Sequence, residues 1–435
     1  MKVKTLEMEN FRGLGDLTLE FDSTEPTLLV GINGSGKSSI LDCIATLLSH
    51  FITEIQQPGG YQASTSGQSP VEKVMIERTF FNNEDITDGK NKTDNKITIL
   101  IDSQEITWKI YRSTDKTLPR PDGADLTKLQ GIGLNLEQKL STNSQMNLPL
   151  LVYYHVNREF FDSQDHSQEK KSYTYNQLEA YDRALTGTRI SFNKFFDWFK
   201  ELEDLENELF RYDSSYCNPL LEAVRRAIDS LLGKELSMLR IRRSPLRMTM
   251  MKKSYELIIN QQLSDGEKGL LAMAGDIARR LAIANPGLPD PLQGEGIVLI
   301  DEIELHLHPK LQREIIPSLK NTFPKCQFII TTHSPQVISH VKSVYLLSSI
   351  PEGIFAEQRR TFGKDSSRIL EELMGVPDRP EDIKKRLREL FRLIDDGKII
   401  EAKQMQEQLE KDIGDDDPEF ASADMLIRSQ EILAE

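Results

Sequence analysis

The chain has 435 residues, a formal net charge of −14, 38% hydrophobic and 28% charged residues. This composition excludes disordered and collagen-like classes, and the length suggests about three units of roughly 150 residues each. No run approaches about 18 apolar residues, so no membrane-spanning helix is expected, and the acidic total argues against a surface coated with DNA-binding lysines.

Residues 2–21 alternate as two strands joined by the turn Arg12-Gly13-Leu14-Gly15. Leu28-Leu29-Val30 is a short apolar run of buried-strand type. A glycine-rich loop follows, then a helical period: Ile40, Leu41, Ile44, Ala45 and Leu48. Residues 57–70 and 82–96 read as loops, while 71–81, 97–102 and 105–112 read as a small antiparallel lobe. Residues 113–147 give no readable pattern, and 148–156 form another buried-strand candidate. From 176 to 233 the pattern is helical and aromatic, with Phe192, Phe195, Phe196, Trp198, Phe199, Leu202 and Leu205. That face suits a core, with a partner surface as the alternative.

Strands are expected again at 237–243 and 254–260, followed by a long helix carrying Leu270, Leu271, Ala274, Ile277, Ala278 and Leu281. Ile297–Ile300 and Gln327–Ile330 are buried-strand runs with a helix over 309–321 between them, and 365–411 is helical. The charge is uneven. Residues 412–435 hold eight acids and one base, half of the whole imbalance, whereas 238–255 hold six bases and no acid. The acidic end is either a solubilising tail or a docking element. In the basic stretch, Arg240, Arg242, Arg243 and Arg247 are candidate contacts to nucleic-acid phosphates. The alternative is a strand edge protected by charge. Cys43, Cys217 and Cys326 are scattered, and the start MKVKTLEMENFRG has no apolar leader. Both suit a reducing cytoplasm, with no disulfide framework and no membrane association.

Gly31-Ile32-Asn33-Gly34-Ser35-Gly36-Lys37-Ser38 fits the phosphate-loop pattern, with a strand before it and a helix after. Its glycines let backbone N–H groups converge on phosphate oxygens, aided by the helix N-terminus. Asn33, Gly34, Ser35, Gly36, Lys37, Ser38 and Ser39 are therefore expected to hold ATP, with Lys37 on the β- and γ-phosphates and Ser38 on Mg²⁺. Such a loop needs an acid at the end of a neighbouring strand. Asp301 is expected to complete the Mg²⁺ site, and Glu302 to orient or deprotonate the attacking water. Leu263-Ser264-Asp265-Gly266-Glu267-Lys268 opens a helix. It is either an anion-binding turn or a capping box. Thr331-Thr332-His333-Ser334 follows the next strand and puts His333 where a γ-phosphate sensor would sit.

Together these four motifs resemble the ABC-type ATPases of the SMC-like, non-transporter branch. GINGSGKS matches Walker A, LSDGEK the signature (with Asp265 where glycine is usual), IVLIDE Walker B, and TTHSP the switch histidine. The resemblance implies an α/β P-loop ATPase head with a mixed β core, an inserted β and helical lobe, and a helical C-terminal tail. The expected organisation is a discontinuous head at 1–156 and 254–360, a mainly helical insertion at 157–253, and an acidic partner-binding tail at 361–435. It further implies that Ser264, Gly266 and Glu267 serve the γ-phosphate bound to a second copy in a head-to-head dimer. Arg12 of Asn10-Phe11-Arg12 would approach the nucleotide. Glu304-Leu305-His306-Leu307-His308-Pro309 occupies the D-loop position, and an intersubunit loop is favoured there over a metal site.

Phe362-Gly363-Lys364-Asp365-Ser366-Ser367-Arg368 and the tail Leu393-Ile394-Asp395-Asp396-Gly397-Lys398 resemble the ATPase subunit of Septu-type anti-phage systems, including retron-associated ones. That resemblance implies an HNH-type endonuclease partner, and in retron settings a reverse transcriptase with its DNA and RNA. No nuclease site is expected in this chain. A nucleotide-gated scaffold with little hydrolysis and a RecF-like DNA repair ATPase are the alternatives.

Overall fold

The computed structural model describes residues 1–56, 80–115, 122–143, 145–156, 176–187, 192–233, 236–350 and 353–434. They fall into two compact units, 1–364 and 365–435.

In the first unit the strands Lys2–Glu9 (β1) and Leu17–Glu20 (β2) precede Thr27–Gly31 (β3) and the helix Lys37–Gln56 (α1). Next come Lys92–Ile101 (β4), Gln104–Ser113 (β5), Asp122–Asp125 (β6), Thr127–Thr142 (α2) and Leu150–Tyr154 (β7). Phe192–Phe210 (α3) and Pro219–Leu232 (α4) form a helical hairpin. Leu236–Arg243 (β8), Leu246–Lys252 (β9) and Tyr255–Ile258 (β10) run into the short helix Ile259–Gln262 (α5) and the long helix Asp265–Ala284 (α6). The remaining elements are Gly296–Ile300 (β11), Pro309–Thr322 (α7), Cys326–Thr331 (β12), Pro335–Ile338 (α8), Ser343–Ile350 (β13) and Gly353–Arg360 (β14).

The central sheet has the order β14-β13-β3-β12-β11-β7. From β13 to β7 every pairing is parallel, and β14 closes the edge antiparallel to β13. Every residue of β3, β7, β11 and β12 is buried, which is why these strands read as unbroken apolar runs. The parallel arrangement puts the C-terminal ends of β3, β7, β11 and β12 on one edge. The loops that follow β3, β11 and β12 gather there, where ligands bind in open α/β sheets. A second sheet, β2-β1-β4-β5-β6, is antiparallel. Helix α1 touches strands of both sheets, and Trp108 of β5 donates to the Leu47 carbonyl at 3.0 Å. Although long and apolar, α1 is buried mainly inside this unit.

The aromatic helix α3 is a core element: Phe195, Phe196, Trp198, Phe199 and Leu202 are buried. Phe195 lies against α6 at Gly275, where an added Cβ would come within 2.9 Å of the ring.

Several sequence expectations need correction. Residues 82–96 are not all loop, because β4 begins at Lys92 and pairs with both β1 and β5. Its polar start, Lys92-Thr93-Asp94-Asn95-Lys96, hides a strand that long-range pairing stabilises. Residues 113–147 contain β6 and α2, and β9 is a strand that the sequence pattern does not announce. Residue 259 already belongs to α5, so the strand expected over 254–260 stops at Ile258. The expected strand at 71–81 and loop at 57–70 lie largely outside the described residues.

The second unit comprises Ser366–Met374 (α9), Glu381–Asp395 (α10), Ile399–Ile413 (α11) and Pro418–Ala434 (α12). Its core is Leu387, Leu390, Ile394, Ala402, Leu409, Phe420, Ala423 and Ile427. The acidic end is therefore folded. Asp412 pairs with Arg386 at 2.6 Å, Asp417 with Arg379 at 2.8 Å, and Glu431 with Lys403 at 2.7 Å.

Candidate functional site

The glycine-rich loop turns from β3 into α1. Gly34 and Gly36 have φ of +82° and +81°, a region that side chains disfavour. Packing adds a second constraint. A Cβ on Gly36 would lie 2.6 Å from Leu14 Cδ2, and one on Gly31 would lie 2.5 Å from Ser35 Oγ. Asn33 and Gly34 are exposed, Ser35 is buried, and Ser38 and Ser39 are half-buried. Lys37 is buried at the helix start and donates to the carbonyls of Gly31 (3.0 Å) and Ile32 (2.9 Å). Burial lowers its pKa, against the attraction of Asp301, Glu302 and Glu304.

Those three carboxylates follow β11. Asp301 is buried, and its N–H donates to the Tyr154 carbonyl at 2.8 Å. Thr331, the last residue of β12, donates its hydroxyl to Asp301 Oδ1 at 2.5 Å. The Thr331 hydroxyl oxygen in turn accepts the Glu302 N–H at 2.7 Å. Glu302 holds a φ of +45°, a left-handed conformation that costs a non-glycine residue about 1 kcal/mol or more. The Thr331 hydroxyl thus fixes both acids from one point.

Glu304 reaches the neighbouring loop and accepts the His333 N–H at 2.5 Å. His333 is half-buried, and its pKa is lowered by burial and then by Lys37; Glu304, Glu302 and Asp301 oppose that shift. The predicted residues Lys37, Asp301, Glu302 and His333 therefore share one electrostatic neighbourhood, built from the ends of β3, β11 and β12.

Ser264 caps α6. Its Oγ accepts the Glu267 N–H at 3.3 Å, and the Glu267 carboxylate accepts the Ser264 N–H at 2.9 Å and hydroxyl at 2.8 Å. A capping box accordingly exists here, while Ser264 and Asp265 remain exposed. Gly266 is buried, and a Cβ there would lie 2.2 Å from the His306 carbonyl oxygen. Direct packing on 306–307 joins the signature turn to the loop after β11. His308 is the N-cap of α7, where Nδ1 accepts the Lys310 N–H at 3.2 Å.

Arg12 lies in the turn after β1 with a φ of +46°. Its guanidinium is held by Asp85 at 2.6 Å and by Asp42 of α1 at 2.5 Å. Burial is outweighed by these carboxylates, so its pKa rises. Tyr153 donates to the other oxygen of Asp42 at 3.0 Å. Arg240, Arg242, Arg243 and Arg247 are elsewhere, on β8 and β9.

Sequence reasoning missed Thr331, Glu304, Asp42 and Asp85 as site residues. Glu304 carried a signal, because it sits two residues beyond the Walker B pair. Asp42 lies four residues past Ser38, one helical turn along α1. Asp85 carried none, being 73 residues from Arg12.

The residues suit a nucleoside triphosphate with a hard cation. Gly31 and Gly36 leave no room for side chains beside the loop, Lys37 supplies a buried ammonium, and Ser38 and Asp301 supply oxygen donors of the type Mg²⁺ takes alongside phosphate and water. Among the described residues no group of three or more His, Cys, Asp or Glu is placed to hold a metal by itself.

Comparison with known proteins places the chain among the following relatives. Residues 27–339 match the family described as AAA domain, putative AbiEii toxin, Type IV TA system. The chain is 31% identical to the Retron Ec83 probable ATPase of Escherichia coli, over 96% of this chain and 85% of that protein. It is 27% identical to the Septu protein PtuA of Bacillus mycoides, over 77% of this chain and 38% of that protein. Among solved structures it resembles the SMC head domain from Thermotoga maritima, with 16% identity, 83% of this chain and 100% of that chain covered, and a TM-score of 0.44.

Proposed function

The chain belongs to the AAA-domain family described as putative AbiEii toxin, Type IV TA system, together with the retron probable ATPase, and from that premise we propose that it is the ATP-hydrolysing subunit of an anti-phage defence complex. One observation carries the reading: Lys37, Asp301, Glu302, Glu304 and His333 converge electrostatically at the mouth of a glycine loop.

In this reading the N–H groups of 34–38 and the Lys37 ammonium hold the β- and γ-phosphates. Ser38 and Asp301 hold Mg²⁺, which when bound neutralises charge on the phosphates. Glu302 orients a water for attack and takes up its proton. His333, neutral near pH 7, donates to the γ-phosphate, and Glu304 fixes its backbone. The exposed Ser264 and the buried Gly266 belong to a surface that meets the nucleotide of a second copy, so hydrolysis needs two chains. Arg12 steadies the turn against the loop. The resemblance to Septu ATPases supports an HNH-type nuclease as the regulated partner, docked on the helical unit 365–435, with a retron reverse transcriptase and its nucleic acid as further company.

Turnover and mass measured together test this. Purified chain with ATP and Mg²⁺ should self-associate, and Glu302→Gln should bind ATP, remain associated and lose turnover by about 100-fold or more. ATP binding with equal inertness in wild type and variant would favour a nucleotide-gated scaffold instead. Copurification with a neighbouring HNH reading frame tests the partner; a chain that never retains it would remove the nuclease from the proposal.

A further inference from the structure

The third sheet, β10-β9-β8, leads directly towards the signature turn through α5. Its register decides which side chains share a face. Arg240 lies opposite Thr249, Arg242 opposite Arg247, and Glu256 opposite Met251. Because side chains alternate along a strand, these six stand on one face. Leu239, Ile241, Met248, Met250 and Leu257 take the other and are buried.

The first face is basic, and its one acid is shared. Arg242 grips Glu256 with two parallel bonds, Nε to Oε1 at 2.8 Å and Nη2 to Oε2 at 2.9 Å. Arg240 Nε lies 3.5 Å from the same carboxylate, and the Thr249 hydroxyl donates to it at 2.8 Å. Hydrogen bonds from Arg242 and Thr249 hold Glu256 down at about 2. Arg247 stands directly across from Arg242, and its Nε is buried without a hydrogen-bond partner. Like charges placed opposite each other on paired strands work against the sheet. The fold therefore keeps three arginines on one face against one carboxylate, in a chain whose total is −14. Arg243 is different: Glu203 (2.7 Å) and Asp204 (2.5 Å) tie it to α3.

A guanidinium fork accepts the paired oxygens of a carboxylate or of a phosphate in the same geometry. We propose that this face binds the phosphodiester backbone of nucleic acid, and that Glu256 is a built-in competitor which occupies Arg240 and Arg242 until phosphate displaces it. Arg247, with no acid of its own, makes the first contact. Arg242 and Arg240 follow as Glu256 swings away, which its partial exposure at the sheet surface permits. The competitor keeps weak anions off the face and demands a ligand with several phosphates at once. Sequence alone could not separate this from a solvated strand edge, because Glu256 lies just outside the six-base run.

Fluorescence anisotropy on the full chain tests it, with a labelled single-stranded oligonucleotide of about 30 nucleotides and the matching duplex, over salt from about 50 to 200 mM. Glu256→Gln should bind at least about threefold tighter than wild type, since one competing charge is gone. Arg247→Ala breaks no ion pair within the sheet; it should bind about threefold more weakly and flatten the salt slope by about one. Arg242→Glu should weaken binding by about tenfold or more. Preference for the strand or the duplex identifies which backbone fits, since both carry the same phosphates. Glu256→Gln binding no tighter than wild type would overturn the competitor. An Arg247→Ala slope equal to that of wild type, or no binding by any variant at low salt, would overturn the site. Thermal melting of each variant checks that the sheet is intact.

Discussion

Tyr153 and Tyr154 are neighbours on β7, yet their hydroxyls bond to helices on opposite faces of the central sheet. Tyr153 donates to Asp42 of α1 at 3.0 Å, and Tyr154 donates to Asp276 of α6 at 3.0 Å. The Tyr154 carbonyl also receives the Asp301 N–H. One dipeptide at the sheet edge thus touches the phosphate-loop helix, the signature helix and the Walker B acid. The helices carrying the two halves of the proposed ATP sandwich are tied to the strand between them.

The signature-helix end of this tie is a buried ion cluster, with Arg280 and Arg279 both on Asp276 (2.7 and 2.8 Å). Burial alone would raise the Asp276 pKa, but Arg280 and then Arg279 overcome it and hold it at about 2. A depressed carboxylate stabilises the fold above its unfolded value of about 4, and that contribution, on the order of 2 kcal/mol, disappears as pH falls through about 2. Asp276→Asn removes the carboxylate shared by the buried Arg280 and the partly buried Arg279 and should cost about 3–5 kcal/mol. Tyr154→Phe should cost about 1 kcal/mol. Denaturant titration at neutral pH and at pH near 3 checks both. Equal losses for the two variants would mean that the cluster is not what holds α6.

Thr331→Val removes the hydroxyl that fixes Asp301 and Glu302 while keeping the side-chain volume. Turnover should fall by about 10- to 100-fold with KM nearly unchanged, because the lost bonds position acids that act in the reaction. Thr331→Ser should restore most of it. A rise in KM with kcat preserved would instead assign Thr331 to ground-state binding.

His333 titrates below its ordinary value of 6.5. The neutral ring is favoured in the fold, so its stability contribution is present above pH 6.5 and is lost as pH falls below that point. If the neutral ring serves the γ-phosphate, turnover should show an acid limb below 6.5 that His333→Gln abolishes. Glu304→Ala removes a carboxylate that raises the His333 pKa, so the limb should move further down, alongside an about tenfold lower kcat. An upward move would contradict the electrostatic arrangement.

Gly266→Ala places a methyl group where the His306 carbonyl already stands, and backbone cannot yield as a flexible side chain can. Nucleotide binding to the single chain should survive, while ATP-dependent self-association and turnover should be lost. Lys37→Ala should do the reverse at the first step, abolishing binding itself. Calorimetric titration with a non-hydrolysable ATP analogue, paired with light scattering, separates the two. Self-association by Gly266→Ala at wild-type strength would remove the signature turn from the dimer surface.

The parts of the molecule written in local sequence were legible. The phosphate loop, the two acids after β11, the helix opening at Ser264 and His333 after β12 each join a strand or helix end to polar residues within about eight positions, and each lies at such an end. What stayed hidden depends on distance along the chain. Asp85 meets Arg12 across 73 residues, and Glu203 neutralises Arg243 across 40. The polar start of β4 is a strand because β1 and β5 flank it, which no window of its own residues reveals. The tail acids looked free because their partners sit elsewhere in the same unit, Arg386 and Lys403 on other helices and Arg379 in the loop before α10.

The hairpin of α3 and α4 sets a mechanical limit. Residues 211–218 return the chain after a helix of 19 residues, about 28 Å of rise. A motor with long arms multiplies a small rotation at its nucleotide into a large stroke far away. This hairpin gives no such leverage, since its aromatic side is bedded on α6 rather than projecting free. In the proposed ATPase, work passed through this hairpin is delivered at short range and high stiffness, as a clasp rather than a crane.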